Sequence, residues 1–189
     1  MSARKKIICD LDGVLIDTAR SLMAHHHAAI ASDADYPSGC QWDVVKATNH
    51  IRMHKNLPKL TPGEFWDKLP HDFWASIPFY PLAKIFLVTL ETFGDVYIAT
   101  SPTLSTECVS GKYDWFRFNL PRYFRKHYIG ADKTAFASRD TVLIDDRDKN
   151  CKDFVQAGGQ AILVPRPWNN GKDIKGHPYD FVIDNLRSL

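Results

Sequence analysis

Five short apolar runs, each closed by a polar residue or a turn signal, constrain this chain more than any other feature. They are Lys6-Ile7-Ile8-Cys9-Asp10, Asp95-Val96-Tyr97-Ile98-Ala99-Thr100, the shorter His127-Tyr128-Ile129, Thr141-Val142-Leu143-Ile144-Asp145 and Gln160-Ala161-Ile162-Leu163-Val164. Continuous apolar runs of about this length suit strands covered on both faces, and therefore a parallel sheet. Helical stretches are read between them at roughly 81–93, 104–120 and 149–157, the last stopped by Gly158-Gly159. Strands alternating with helices predict an α/β fold with a doubly wound parallel sheet. Residues 17–80 break the alternation. They hold a helical signal (Leu22, Ala29, Ile30), then a Pro-punctuated stretch with Trp42, Phe65, Trp66, Phe73, Trp74, Phe79 and Tyr80. An insertion of this size after the first strand reads as a small helical cap over the active-site edge. The α/β core is then 1–16 and 81–189, and the cap is 17–80. Most of the cap aromatics are expected to form its own interior, with two or three facing a ligand.

Composition removes several function classes. The chain has 189 residues, enough for one core with an inserted subdomain, and 24 Lys+Arg against 22 Asp+Glu give a net charge of +2. Without a strong basic field, no nucleic-acid polymer is expected as partner. The basic cluster Arg117, Arg122, Arg125 and Lys126, interleaved with Phe116, Phe118, Tyr123 and Phe124, reads as an amphipathic surface. No run of 18 apolar residues exists, so no membrane span is expected, and the apolar run near the start is too short for a signal peptide. Cys9, Cys40, Cys108 and Cys151 lie far apart with no zinc-type spacing, which suits a reduced, cytoplasmic protein. A homodimer is left open as the assembly.

Ligands of open parallel sheets bind beyond the carboxyl ends of the strands. The polar residues expected there are Asp10-Leu11-Asp12-Gly13, Thr100-Ser101-Pro102, Asp145-Asp146 and, in a connection, Lys133. Clustered carboxylates repel unless a cation neutralises them, and Mg²⁺ does so while leaving positions for water and phosphate. Hydroxyls and an ammonium supply donors to phosphoryl oxygens. One carboxylate can attack phosphorus, and a second, held protonated by its neighbours, can protonate the leaving oxygen. Other motifs carry less. His25-His26-His27 point about 100° apart on a helix and cannot converge on one ion. Gly111-Lys112 lacks the earlier glycine of a phosphate loop, since position 106 is Thr. Asp17 reads as a helix cap, and Trp168-Asn169-Asn170 receives no role.

Asp10-Leu11-Asp12-Gly13-Val14-Leu15, Ile98-Ala99-Thr100-Ser101-Pro102, Asp132-Lys133-Thr134 and Leu143-Ile144-Asp145-Asp146, in this order, resemble the haloacid dehalogenase (HAD) superfamily of phosphatases. Lys112-Tyr113-x-Trp115, Ile144-Asp145-Asp146-Arg147 and Phe73-Trp74 before Pro78, Tyr80 and Pro81 resemble, more narrowly, the 5′(3′)-deoxyribonucleotidases. The resemblance implies a HAD-like Rossmannoid core and Mg²⁺-dependent hydrolysis of (deoxy)nucleoside monophosphates through an aspartyl-phosphate. It implies Asp10 as nucleophile and metal ligand, and Asp12 as general acid and base with its backbone carbonyl on the metal. Thr100 and Ser101 would hold phosphoryl oxygens, Lys133 the developing charge, and Asp145 and Asp146 the metal or its surroundings, with Asp146 favoured as ligand. Thr18 stands where animal members carry a base-stacking phenylalanine, and Trp42, Trp66, Phe73 and Trp74 are the candidate faces for a base. The alternatives are the same chemistry on a sugar phosphate, and a phospho-accepting receiver-like domain. The latter places its acidic pair on the first strand and lacks a cap.

Overall fold

A computed structural model describes residues 4–189, so the first three residues of the expected 1–16 core segment lie outside the described residues. Five parallel strands form one sheet: β1 Lys6–Asp10, β2 Asp95–Thr100, β3 His127–Ile129, β4 Thr141–Asp145 and β5 Gln160–Leu163. Their order is β3-β2-β1-β4-β5. Central β1 pairs Ile7 with Val96 of β2 on one side and with Val142 of β4 on the other. β4 is buried along its whole length, as its unbroken apolar run requires. β3 has only three residues, none of them buried, and ends the sheet as a short edge. The chain winds outward from β1 through β2 to β3, then crosses back to β4 beside β1. The direction therefore reverses at β1 and β4, and their carboxyl ends, carrying Asp10 and Asp145, flank the switch point.

The helices anticipated beside the sheet are α5 Ala83–Phe93, α6 Thr106–Asn119 and α7 Asp148–Gln156 (α1 to α4 belong to the inserted segment). α5 buries Ala83, Phe86, Leu87 and Leu90, a stripe at helical spacing. α7 stops at the anticipated glycines. Gly158 takes φ +94, and the N–H groups of Gly158 and Gly159 bond to the carbonyls of Val155 and Phe154. One helix was not anticipated: α8, Pro178–Arg187. Its signals stand in the sequence, with Pro178 in the first turn and Tyr179, Val182, Ile183 and Leu186 at i, i+3, i+4, i+7. Tyr179 stacks on Phe86 of α5 with ring centroids 4.1 Å apart.

Between β1 and α5 the chain forms α1 Thr18–His25, α2 Val44–His54, α3 Pro62–Trp66 and α4 His71–Ala75. Asp17 caps α1 by accepting the Arg20 N–H (3.2 Å), and Asp43 caps α2 in the same way. Thr61 and Glu64 form a capping box at α3. Phe65 and Trp74 are buried, while Trp42, Trp66, Phe73 and Phe79 are partly covered. Their apolar interior is continuous with that of the sheet. α4 lies so close to α6 that a Cβ on Gly111 would sit 2.6 Å from both the His71 carbonyl oxygen and Trp74 Cβ. The Trp115 indole N–H donates to the Ile77 carbonyl (2.8 Å) beside this contact. All four cysteine thiols are free. Among the described residues no helix is long and apolar enough to cross a membrane.

Candidate active site

A cavity of about 340 Å³ opens at the carboxyl ends of the central strands. Of the residues singled out in the sequence, Asp10, Asp12, Thr18, Trp42, Trp66, Trp74, Ser101, Lys133 and Asp146 all line it. The loop after β1 is held from behind. Buried Arg166 donates to the Gly13 carbonyl (2.7 Å), and the Tyr179 hydroxyl donates to that of Val14 (2.7 Å). Gly13 takes φ +72, and a Cβ there would fall 2.2 Å from Asp146 Oδ2. Only glycine allows both the turn and the approach of Asp146 to the loop.

Asp10, Asp145 and Asp146 bring carboxylate oxygens within 4.8 Å of one another, all three buried. Lys133 Nζ bridges two of them, 2.8 Å from Asp10 Oδ1 and 2.6 Å from Asp145 Oδ2. Burial works against the lysine's charge, but the two carboxylates outweigh it and push its pKa up. Three carboxylates against one ammonium leave the cluster short of positive charge. Burial first, then Asp145 and Asp146, raise the Asp10 carboxyl well above the ordinary range despite Lys133. Burial and Asp145 push Asp146 up to about 7. Asp145 is engaged on both oxygens, by Lys133, the Asn150 amide (3.0 and 3.1 Å) and the Arg147 N–H (2.9 Å). Asp146 differs. Oδ2 accepts the Trp168 indole N–H (2.7 Å), while Oδ1 is buried without a partner. An orphaned carboxylate oxygen beside two further carboxylates, all hard oxygen donors, fits Mg²⁺.

Asp12 stands apart from that cluster. Oδ1 accepts the Thr18 hydroxyl (2.7 Å), and Oδ2 accepts both the Thr100 hydroxyl (2.5 Å) and Lys112 Nζ (2.5 Å). Burial opposes its charge, yet Lys112 and these hydrogen bonds outweigh burial and lower its pKa. The expectation of an Asp12 held protonated by its neighbours is therefore corrected: one neighbour is a lysine, and it favours the carboxylate. Its side chain also contributes nothing to the acidic cluster, which leaves only its backbone carbonyl for a metal.

Two further expectations change. Thr100 is fully buried beneath Asp12, and its hydroxyl is committed to Asp12 and Lys112, so it positions Asp12 instead of facing the cavity. Phe73 does not join the cavity; it packs edge-on against Trp74 and His25, with centroids 5.2 Å away in each case. Lys112, part of the Lys112-Tyr113-x-Trp115 resemblance but given no role of its own in the sequence, proves to be a partner of Asp12. It lies on the buried face of α6 with Cys108, Gly111, Trp115 and Phe116, and a lone charge on an apolar stripe was the available signal. Trp168, left without a role, orients Asp146.

With this geometry in place, likeness to solved structures becomes informative. The chain is similar to the YfnB HAD-hydrolase of Bacillus subtilis bound to magnesium, with TM-score 0.54 and 13% identity over 93% of this chain and 90% of that one. It is similar to a haloacid dehalogenase-like hydrolase of Burkholderia xenovorans LB400, with TM-score 0.53 and 16% identity over 96% of each. It is also similar to the L-2-haloacid dehalogenase RSc1362, with TM-score 0.58 and 14% identity over 98% of this chain and 100% of that one. The fold is that of the HAD-like hydrolases. No protein-family model and no curated sequence matches the chain. Asp10 ends the central strand β1 and Asp145 ends its neighbour β4.

Proposed function

We propose that this protein is a Mg²⁺-dependent phosphomonoesterase that hydrolyses (deoxy)nucleoside monophosphates through an aspartyl-phosphate. The observation that carries the reading is the buried Asp10–Asp145–Asp146 cluster, bridged by a single lysine and holding an orphaned oxygen on Asp146. Displacement at carbon, the chemistry of the dehalogenase neighbours, needs one carboxylate nucleophile and no cation to neutralise two more. Phosphoryl transfer needs the cation, because the group being transferred is itself anionic.

Asp10, Asp146 and the Asp12 backbone carbonyl would hold the metal, with Asp145 keeping Lys133 in place. Bound Mg²⁺ supplies positive charge to the carboxylates and to the phosphoryl oxygens. The free Asp10 oxygen attacks phosphorus, and the bond from phosphorus to the leaving alkoxide breaks. Asp12 gives that alkoxide its proton. A dianionic phosphoryl group arriving beside Asp12 opposes its ionisation and moves it toward the protonated form that step requires. Asp12 then takes a proton from water as the water oxygen attacks the aspartyl-phosphate, releasing phosphate and restoring Asp10. Lys133 and Ser101 hold the phosphoryl oxygens. Trp42 and Trp66, both partly exposed at the cavity, offer their rings to the base, while Trp74 is buried in its wall, and Thr18, small and turned onto Asp12, leaves room beside them. Base stacking on such faces is worth roughly 1–3 kcal/mol. The substrate is a small cytoplasmic metabolite.

The test is phosphate release from deoxynucleoside 5′-monophosphates, glucose 6-phosphate and p-nitrophenyl phosphate, in EDTA and then with Mg²⁺, alongside halide release from a 2-haloacid. The expected result is Mg²⁺-dependent turnover, with nucleotides showing the higher kcat/KM over glucose 6-phosphate, and none with Asp10→Asn. Halide release without phosphate release, or one stoichiometric phosphorylation without turnover, would overturn it.

A further inference from the structure

Next to the catalytic cavity lies a second cleft of about 430 Å³, and the two share Trp42, Asp146 and Arg147 as a common wall. Arg147 is the unusual member. It makes no ion pair among the described residues. Its backbone N–H is used on Asp145 (2.9 Å), and its guanidinium lies 5.6 Å from the Trp42 ring centroid. The remaining charges of the cleft do not satisfy it. Asp146 is turned to Trp168 and the acidic cluster, and Asp148 accepts the Asn170 N–H (3.3 Å). Lys149 pairs with Asp153, whereas Lys172, which also lines the cleft, is exposed and has no ion-pair partner among the described residues. Two cations without carboxylates therefore face a space that opens directly from the site of phosphoryl transfer.

A stacked base alone would leave the guanidinium N–H donors unmatched, because a π-face offers them no acceptor in fork geometry. A phosphate or carboxylate accepts two parallel N–H bonds from such a fork. We infer that Arg147, with Lys172 lining the same cleft, binds a second anionic group carried by the leaving group of the substrate. The preferred substrate is then a phosphomonoester with a further phosphate or carboxylate, and a nucleoside bisphosphate fits both cavities: the base against Trp42, one phosphate at Asp10, the other at Arg147. This rests on the phosphomonoesterase reading above and narrows its substrate.

The experiment measures equilibrium binding in Mg²⁺ to the Asp10→Asn protein, which cannot turn over. Two ligand pairs each differ by one anionic group: thymidine 5′-monophosphate against thymidine 3′,5′-bisphosphate, and glycerol 3-phosphate against 3-phosphoglycerate. A charge-assisted bidentate contact is worth about tenfold or more in affinity. The bisphosphate should bind tighter than the monophosphate by at least about that factor, the advantage should shrink at high ionic strength, and adding Arg147→Gln should reduce it to about twofold. An advantage in the nucleotide pair alone assigns the site to phosphate; an advantage in both pairs assigns it to anions in general. Equal affinity within both pairs, or an advantage that Arg147→Gln leaves intact, overturns the inference. Turnover of the monophosphate by the wild-type protein is measured separately. Turnover without a binding advantage defeats this inference only, whereas an absence of turnover on every phosphomonoester defeats the phosphomonoesterase reading.

Discussion

Replacing Asp146 by Asn should make the metal-free protein more stable at neutral pH and above, while removing its response to Mg²⁺. Burial and Asp145 lift this carboxyl from its ordinary 3.8 to about 7. At about 1.4 kcal/mol per pH unit, that corresponds to roughly 4 kcal/mol against the ionised form. The folded pKa lies above the unfolded one, so the protonated group's contribution is fully present below about pH 4. It is lost as pH rises toward and through 7. In EDTA the wild-type protein should therefore lose stability between pH 4 and pH 8. Asn cannot ionise, yet its carbonyl oxygen can still accept the Trp168 N–H that Oδ2 accepts now. For a chain of this length 1 kcal/mol moves Tm by about 2–4 °C. With Asp10 and Asp145 sharing the same buried charge, about half of the full value, roughly 4–8 °C at pH 8, is the expected gain. Thermal unfolding by circular dichroism from pH 4 to 8.5, in EDTA and in Mg²⁺, reads both effects. Wild type should gain stability from Mg²⁺ at pH 8, and Asp146→Asn should not. An Asn variant less stable than wild type in EDTA at pH 8, or one with an unchanged pH slope, would refute the view of Asp146 as an uncompensated buried acid.

Two further substitutions probe other parts of the structure. Lys112→Met removes the cation that outweighs burial at Asp12, so the Asp12 carboxyl should rise and, because leaving-group departure needs it protonated, the alkaline limb of the kcat profile on a nucleotide should move to higher pH; an unmoved limb would show that Lys112 does not set the protonation of Asp12. Gly111→Ala places a Cβ 2.6 Å from the His71 carbonyl oxygen and Trp74 Cβ, and should cost about 1–3 kcal/mol, read as a lower urea midpoint at unchanged m; wild-type stability would mean that α4 yields freely on α6.

The sheet and most of the acidic site were legible because local chemistry encodes them. A run such as Thr141–Asp145 has no amphipathic face and must be covered on both sides, which makes it an inner parallel strand wherever it is placed. Asp10, Lys133 and Asp146 stand at or beside strand ends, and the carboxyl edge of such a sheet gathers those ends without any knowledge of packing. α8 is equally legible, its buried Tyr179, Val182, Ile183 and Leu186 falling at helical spacing.

The division of labour among the polar residues depended on contacts between distant parts of the chain. Lys112 reaches Asp12 across 100 positions and Trp168 reaches Asp146 across 22, and no local pattern specifies which acid receives which donor. Lys112, Trp168 and Asp146 are buried and Asp12 is largely so, where charge and hydrogen bonding act strongly, so these contacts shift the carboxyls in opposite directions. Thr100 had the right place in the sequence for a phosphate ligand, but its hydroxyl is held under Asp12 once α6 packs and brings Lys112 in. Sequence determined the strands, their polar ends and the chemistry available there, because periodicity and side-chain type are local properties. Tertiary structure alone decided that Lys112 favours the Asp12 carboxylate and that, among the described residues, Asp146 Oδ1 has no hydrogen-bond partner and Arg147 no ion-pair partner beside the cavity, because each depends on which groups come within a few ångströms of one another.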